Sequence, residues 1–397
     1  MKWSVRQSWK LLWLVLLYLF LGMESSYGAG LEYQDQEAYE EKSEDWPLKV
    51  YEIEKIQGFL DGNLGKETES LSFLELMEGL IKGNFMEVAG EVGDALYHHL
   101  FSELKQTGSL VGQIMALGLL GAVFGNFSHI FSSSQVAESG FFVTYLLLFT
   151  ILAASFFASV QVAVGVISEI LEFMKILMPS YFMAVAFVGG SMTAAAFYQL
   201  VMMAVTVIQW AELNVLIPMV KIYLLFVLAG HIAKEEMLSR LTGLIENGVV
   251  WSLKTMAGLL IGLHLIQGMI LPYVDSMKHS GIRKLVEVIP GIGQGAGVMT
   301  QMVLGSGVLI KNAMGTAGIV VLVFIALVPV LKLLIMMLLY QCVAAVLEPV
   351  CDKRMVSCLE AVARGHKLLL AIVMTALFLF MIIIALLCTM TNISYYA

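Results

Sequence analysis

Cysteine is missing from the first 341 residues of this 397-residue chain. The four that occur, Cys342, Cys351, Cys358 and Cys388, sit in or beside apolar segments near the C-terminus, so no disulfide framework can staple the N-terminal part. They form no C-x-x-C pair and have no histidine at zinc-finger spacing, which leaves them an expected role as small apolar core residues. Charge is scarce as well. Asp, Glu, Lys and Arg make up 14% of the chain and the hydrophobic set 59%, whereas a soluble domain carries roughly 25% charged residues. A water-soluble fold could not hide so much apolar surface. No stripe of clustered Lys and Arg exists, which argues against nucleic acid as a partner, since phosphate binding needs such a stripe to displace counterions. Catalytic signatures are lacking too. There is no H-E-x-x-H and no pair of aspartates inside an apolar segment, and Gly305-Ser306-Gly307 lacks the preceding glycine of a serine elbow. The expectation is a protein that is not an enzyme and that holds no cofactor or metal.

What charge there is lies unevenly. Residues 30–108 hold 18 Asp and Glu against 6 Lys and Arg, while residues 109–397 hold 12 against 14, so the net charge of -8 belongs to one block. Ahead of that block, Lys2, Arg6 and Lys10 precede the apolar run Leu11 to Leu21, and Ser26 and Gly28 supply small residues for cleavage near Ala29. This is the pattern of an export signal over 1–29, and eleven apolar residues are too few to span comfortably. The competing reading is an uncleaved anchor extended by Trp9 and Trp13. Either way the acidic block, 30–108, is delivered to the extracytoplasmic side.

Within the block, residues 30–46 are polar without an apolar period and predict a disordered lead-in. After Pro47, Val50, Ile53, Ile56 and Leu60 recur at helical spacing until Gly62-Asn63. Leu71, Leu74, Met77, Leu80 and Ile81 repeat the pattern, and a third helix starts at Asn84 with Glu87 in the capping-box position. Three short amphipathic helices bury little, so the region is expected to lean on the membrane domain, a partner or a second copy. A docking surface and a solvated cap fit equally well. The adjacent His98 and His99 point apart on a helix and make a poor metal pair.

From residue 109 to 397 apolar segments follow one another. About 20 apolar residues cross a hydrocarbon layer of roughly 30 Å, which places spans near 110–131, 140–168, 176–210, 213–233, 249–273, 286–310, 315–347 and 368–390. The third contains Pro179 and Gly189-Gly190 and reads as one broken span or two. The distribution of Lys and Arg favours eight spans: Lys278, Arg283, Lys284, Lys353, Arg354, Arg364 and Lys367 then face the cytoplasm, against Lys175, Lys234, Arg240 and Lys311 outside. The fold class is therefore an all-α polytopic helical bundle of about eight spans after a small acidic helical region.

Lys221 and Lys254 can snorkel from their spans to an interface. Lys332, midway along its span and close to Pro329, faces either lipid or an interior path. Between Pro290 and Gly307 the glycines Gly291, Gly293, Gly295 and Gly297 alternate, stripping a helix of bulk and permitting close packing or unwinding. No strand precedes them and no Walker lysine follows, so they are not a phosphate loop. A second broken segment runs from Met178 to Gln199 and, under the eight-span topology, in the opposite sense. Paired broken spans of opposite sense mark inverted-repeat transport folds. The candidate helix-packing or path-lining residues are Gly189, Gly190, Gly291, Gly293, Gly295, Gly297 and Lys332. His264 and Gln267, one turn apart, read as interhelical glue.

The signal sequence, the acidic block, the run GGSMTAAAFYQ from Gly189 to Gln199 and the stretch IPGIGQGAGVMTQMVLGSGVLIKNAMGTAGI from Ile289 to Ile319 together resemble the stage III sporulation protein AE family of endospore-forming bacteria. The likeness covers nearly the whole chain but includes no short catalytic signature. It implies a polytopic subunit in the mother-cell membrane around the forespore, with the acidic region facing the space between the two membranes. It also implies partners: a secretion-type ATPase, ring-forming bitopic proteins and a forespore-membrane protein, together building a transenvelope channel. The expected function is a membrane subunit of that secretion-like channel, acting as export gate or assembly platform. The alternative is an independent small-solute permease, which the broken spans and Lys332 motivate.

Overall fold

A polypeptide in hydrocarbon must satisfy its own backbone hydrogen bonds, which leaves helices and closed barrels as the spanning structures. The computed structural model of the chain describes residues 53–63, 73, 77, 108–123, 134–189, 191–233, 240–262 and 293–396, and those residues are helical apart from the turn at 348–352. The signal sequence, the lead-in, the helix expected from Asn84, His98, His99, and the segment holding His264, Gln267 and Gly291 lie outside the described residues.

The helices are α1 (Ile53–Asn63), α2 (Gly108–Val123), α3 (Ser134–Gly189), α4 (Ser191–Ala211), α5 (Ile217–Ala233), α6 (Arg240–Gly262), α7 (Gly293–Leu347) and α8 (Lys353–Tyr396). A five-residue π-helical segment, Glu212–Leu216, joins α4 to α5. Among the described residues, five helical stretches are long and apolar enough to cross a membrane: Phe142–Ala186, Tyr198–Gly230, Arg240–Gly262, Gly307–Leu347 and Lys353–Ala385. The protein is thus an all-α polytopic membrane protein.

The breaks between helices differ from those the sequence predicted. The chain runs unbroken through Lys175 and Pro179, with α3 ending at Gly189. Proline removes one backbone hydrogen bond and crowds the carbonyl four residues back, but neighbouring helices on either side hold a membrane helix together through such a defect. Phe142–Ala186, at 45 residues, extends about 67 Å, twice the hydrocarbon thickness, so a period count that allots one span per 20 residues divides it wrongly. Likewise α7 passes straight through residues 310–315, where two spans were expected to meet, and places Lys311 inside a helix rather than on an outside loop. The boundary predicted between 210 and 213 is also helical, with Glu212 opening the π segment. Finally, α8 starts at Lys353 instead of 368, because Asp352 caps it: its Oδ1 accepts the Arg354 backbone N–H at 2.9 Å.

Helices α3, α7 and α8 make the centre. Tyr145, Leu148, Leu152, Phe156, Ala163 and Ile170 on α3 recur at intervals of three, four or seven and are buried, while Phe142, Val143, Leu146 and Leu147 on the other face are exposed. Large exposed apolar side chains of this kind are what a lipid-facing surface presents. Partners on α3 and α8 advance together, Phe156 with His366 and Tyr181 with Cys388, so these two helices run parallel. On α7 the order reverses, Tyr340 meeting Ser155 and Gly315 meeting Tyr181, so α7 is antiparallel to both. Helix α1 carries the apolar period expected of it and lies on α3: the ring centroids of Phe59 and Phe173 are 5.8 Å apart. Of the three supports expected for the acidic region, the membrane domain is the one seen for α1.

Candidate functional site

Polar side chains inside an apolar bundle are costly unless bonded, and this bundle places them in separate layers. In the first, Ser155 and Ser159 stand one turn apart on α3 and face His366 of α8, all three buried. The two ring nitrogens of His366 lie 2.9 Å from the Val362 carbonyl oxygen (Nδ1) and 2.9 Å from Ser159 Oγ (Nε2). A carbonyl can only accept, so Nδ1 carries the proton, and Nε2 is then an acceptor for the Ser159 hydroxyl, whose one proton also has the Ser155 carbonyl oxygen at 3.2 Å as an acceptor. Tyr340 of α7 donates to Ser155 Oγ at 2.7 Å. The Phe156 ring meets the imidazole edge-on at 5.2 Å. A Cβ on Gly365 would stand 2.7 Å from that ring, so the close approach requires glycine there.

A second layer lies further along the same three helices. Lys311 of α7 is fully buried and its Nζ donates to the Cys388 carbonyl oxygen at 3.3 Å. Tyr181 of α3 donates to Cys388 Sγ, also at 3.3 Å. One turn beyond Lys311, Gly315 leaves the room that Cys388 Sγ occupies, and Gly318 leaves room for Leu177. The small-residue contact of α7 with its neighbours is therefore seen at Gly315 and Gly318. At the other end of the bundle, Tyr145 Oη lies 3.0 Å from the Leu228 carbonyl oxygen and 2.8 Å from Cys358 Sγ. Cys351, in the turn before α8, donates its thiol proton to the Gly118 carbonyl oxygen at 3.2 Å. Burial, and then the neighbouring Asp352 carboxylate, push the Cys351 thiol above its usual value. Cys358 is buried as expected for a core cysteine, but Cys342 is exposed.

Glu212 stands apart from these layers. Its side chain is fully buried and neither carboxyl oxygen has a hydrogen-bond partner among the described residues. The local backbone has a cause. Pro218 has no N–H and its ring crowds the carbonyl of Asn214, and the helix widens just before it, the Ile217 N–H bonding back five residues to the Glu212 carbonyl. Single π turns inside helices recur at functional positions. The Asn214 side chain donates to the Trp210 carbonyl oxygen at 3.0 Å, satisfying one acceptor that the altered register affects.

Of the candidate packing or path-lining residues, the described ones lie on α3 and α7. Gly189 closes α3, and Gly293, Gly295 and Gly297 lie in the first turns of α7. Gly190 and Gly291 lie outside the described residues. Lys332 is half-buried and engaged with a neighbour; 35 residues separate it from Gly297, about 50 Å of helix. Lys254 is exposed and Lys221 half-buried, as snorkelling side chains would be. Among the described residues no group of three His, Cys, Asp or Glu could hold a metal ion. Sequence reasoning passed over Glu212, although it is the one charged residue between positions 176 and 220. His366 and Ser159, 207 residues apart, carry no signal of their pairing.

The family described as stage III sporulation protein AE matches residues 71–391. A protein named stage III sporulation protein AE, from Bacillus subtilis (strain 168), is 22% identical over 305 residues, covering 77% of this chain and 75% of the relative. No solved structure matches.

Proposed function

The chain belongs to the stage III sporulation protein AE family, and from that membership we propose that it is a membrane subunit of a transenvelope, secretion-like channel between mother cell and forespore. The observation that carries the reading is the match over residues 71–391 on a chain that is a bundle of membrane-crossing helices. The family's name gives the role in sporulation. The polytopic bundle suits an export gate or an assembly platform in the mother-cell membrane around the forespore. Under this reading the acidic region, with α1 resting on α3, faces the intermembrane space and offers a surface for ring-forming bitopic proteins and a forespore-membrane protein. A secretion-type ATPase works from the cytoplasmic side. Deletion is expected to stop late forespore gene expression after engulfment is complete, and a fluorescent fusion is expected to mark only the membrane around the forespore. A deletion strain that sporulates normally removes the proposal.

An independent small-solute permease is the second reading. What favours it is the set of fully buried ionisable side chains inside candidate spans, Glu212, Lys311 and His366. Such groups mark substrate or ion paths in membrane proteins. Solute uptake by the purified chain in liposomes, lost on Glu212→Ala, supports this reading over the channel subunit.

A further inference from the structure

We propose that Glu212 is a proton-binding site within the membrane, its carboxyl group held in an apolar interior by the π segment and loaded or unloaded as α4 and α5 shift about that segment. This goes beyond the channel role and does not depend on it.

The geometry narrows what the group can hold. Glu212 is 0% exposed and neither of its oxygens has a hydrogen-bond partner among the described residues, inside the candidate span Tyr198–Gly230. An unpaired carboxylate in such surroundings is strongly penalised, whereas the neutral acid is tolerated. The elements packed against the π segment are α4, α5 and α8. Residues 368–385 of α8 contain no ionisable side chain, the nearest on that helix being His366, Lys367 and Cys388. On α4 the nearest is Tyr198, and on α5 they are Lys221 and Tyr223. Lys221, nine residues on, lies about 13 Å along the axis. Glu212 belongs to no group of three His, Cys, Asp or Glu among the described residues. A metal cation would need several more oxygen ligands to replace its water. A proton needs one.

The same geometry argues against a purely structural glutamate. A buried polar group left unbonded costs stability that an apolar side chain of similar volume would not. The π segment departs from the regular α-helical register at Glu212 itself, and such single π turns recur at functional sites. Intramembrane ionisable residues that face a bundle interior commonly serve as proton relays.

The test is infrared spectroscopy of the full chain in lipid vesicles, compared with Glu212→Gln, an isostere of the neutral acid. At neutral pH the native chain is expected to show a protonated-carboxyl stretch that shifts in heavy water, disappears on alkaline titration and is wholly lost in Glu212→Gln. Carboxylate stretches from Glu212 at neutral pH, the sign of an unseen cationic partner, overturn the proposal. So does a protonated band that neither exchanges in heavy water nor titrates, because a sealed acid neither takes up nor releases its proton. Should Glu212→Gln fail to fold, Glu212→Asp must keep a displaced band; a folded Glu212→Asp chain without one is equally fatal.

Discussion

Leu177 of α3 fills the space beside Gly318 of α7, its Cδ2 only 2.6 Å from where a Cβ would stand. The helices touch there because α7 has no side chain to keep them apart. Gly318→Ala is expected to be nearly neutral, since the flexible leucine end can turn aside and alanine gains about 1 kcal/mol of helix propensity. Gly318→Leu overpacks the contact and is expected to cost roughly 1–3 kcal/mol. Thermal unfolding of both variants in detergent measures the difference, and equal midpoints would contradict the contact.

The hydrogen bond between Ser159 and His366, 2.9 Å long and buried, is expected to appear as energetic coupling. Ser159→Ala, His366→Phe and the double variant form a cycle, and contacting residues in one network couple by about 0.5–3 kcal/mol. Chemical unfolding of the four proteins supplies the numbers. Strict additivity would show that the two side chains do not interact.

Thiol chemistry distinguishes Cys351 from Cys342. The thiolate is the reactive form, and burial followed by the Asp352 carboxylate holds Cys351 in its protonated form to higher pH than usual. A raised pKa means less thiolate at any pH below it, so maleimide labelling of Cys351 is expected to be slow at neutral pH and to climb as pH rises past the ordinary thiol range. Cys342 is exposed but inside the candidate span Gly307–Leu347, so lipid should shield it from labelling in membranes until the protein is extracted into detergent. Asp352→Asn removes the neighbouring charge and should move the Cys351 profile towards lower pH, as peptide mass spectrometry of labelled protein would report.

Phe59 fastens α1 to α3. It is 6% exposed, its ring meets Phe173, and Gln57 on the same helix accepts the Phe73 backbone N–H at 2.8 Å. Truncating a buried phenylalanine costs roughly 3–5 kcal/mol, more than one short helix is expected to withstand. Phe59→Ala should therefore leave α3, α7 and α8 folded but speed proteolysis between α1 and α2 several-fold. Unchanged cleavage would mean that α1 is held by other contacts.

Helical class and membrane insertion were legible from residues alone, because hydrocarbon forces every apolar run of sufficient length into a helix whatever its neighbours are. The helix α1 was legible for a similar reason: apolar residues at helical spacing after Pro47 specify it locally. Span boundaries were not. Pro179 and the residues around 310–315 look like breaks in isolation, yet packing between α3, α7 and α8 carries both helices through them. A loop reading suited Glu212 and Lys311 because charge normally marks the water side. The burial of Lys311 depends on a partner that no spacing rule reaches, a carbonyl 77 residues away.

By itself the sequence determined that this chain is a run of membrane helices with an acidic N-terminal region, since both follow from composition and period along the chain. Only the tertiary structure decided which polar groups lie inside, where long helices run unbroken, and that Gly315 and Gly318 sit at a close contact of α7 with α3 and α8. Those outcomes depend on which faces of distant helices meet. That is a property of packing in three dimensions, and no local pattern along the chain encodes it.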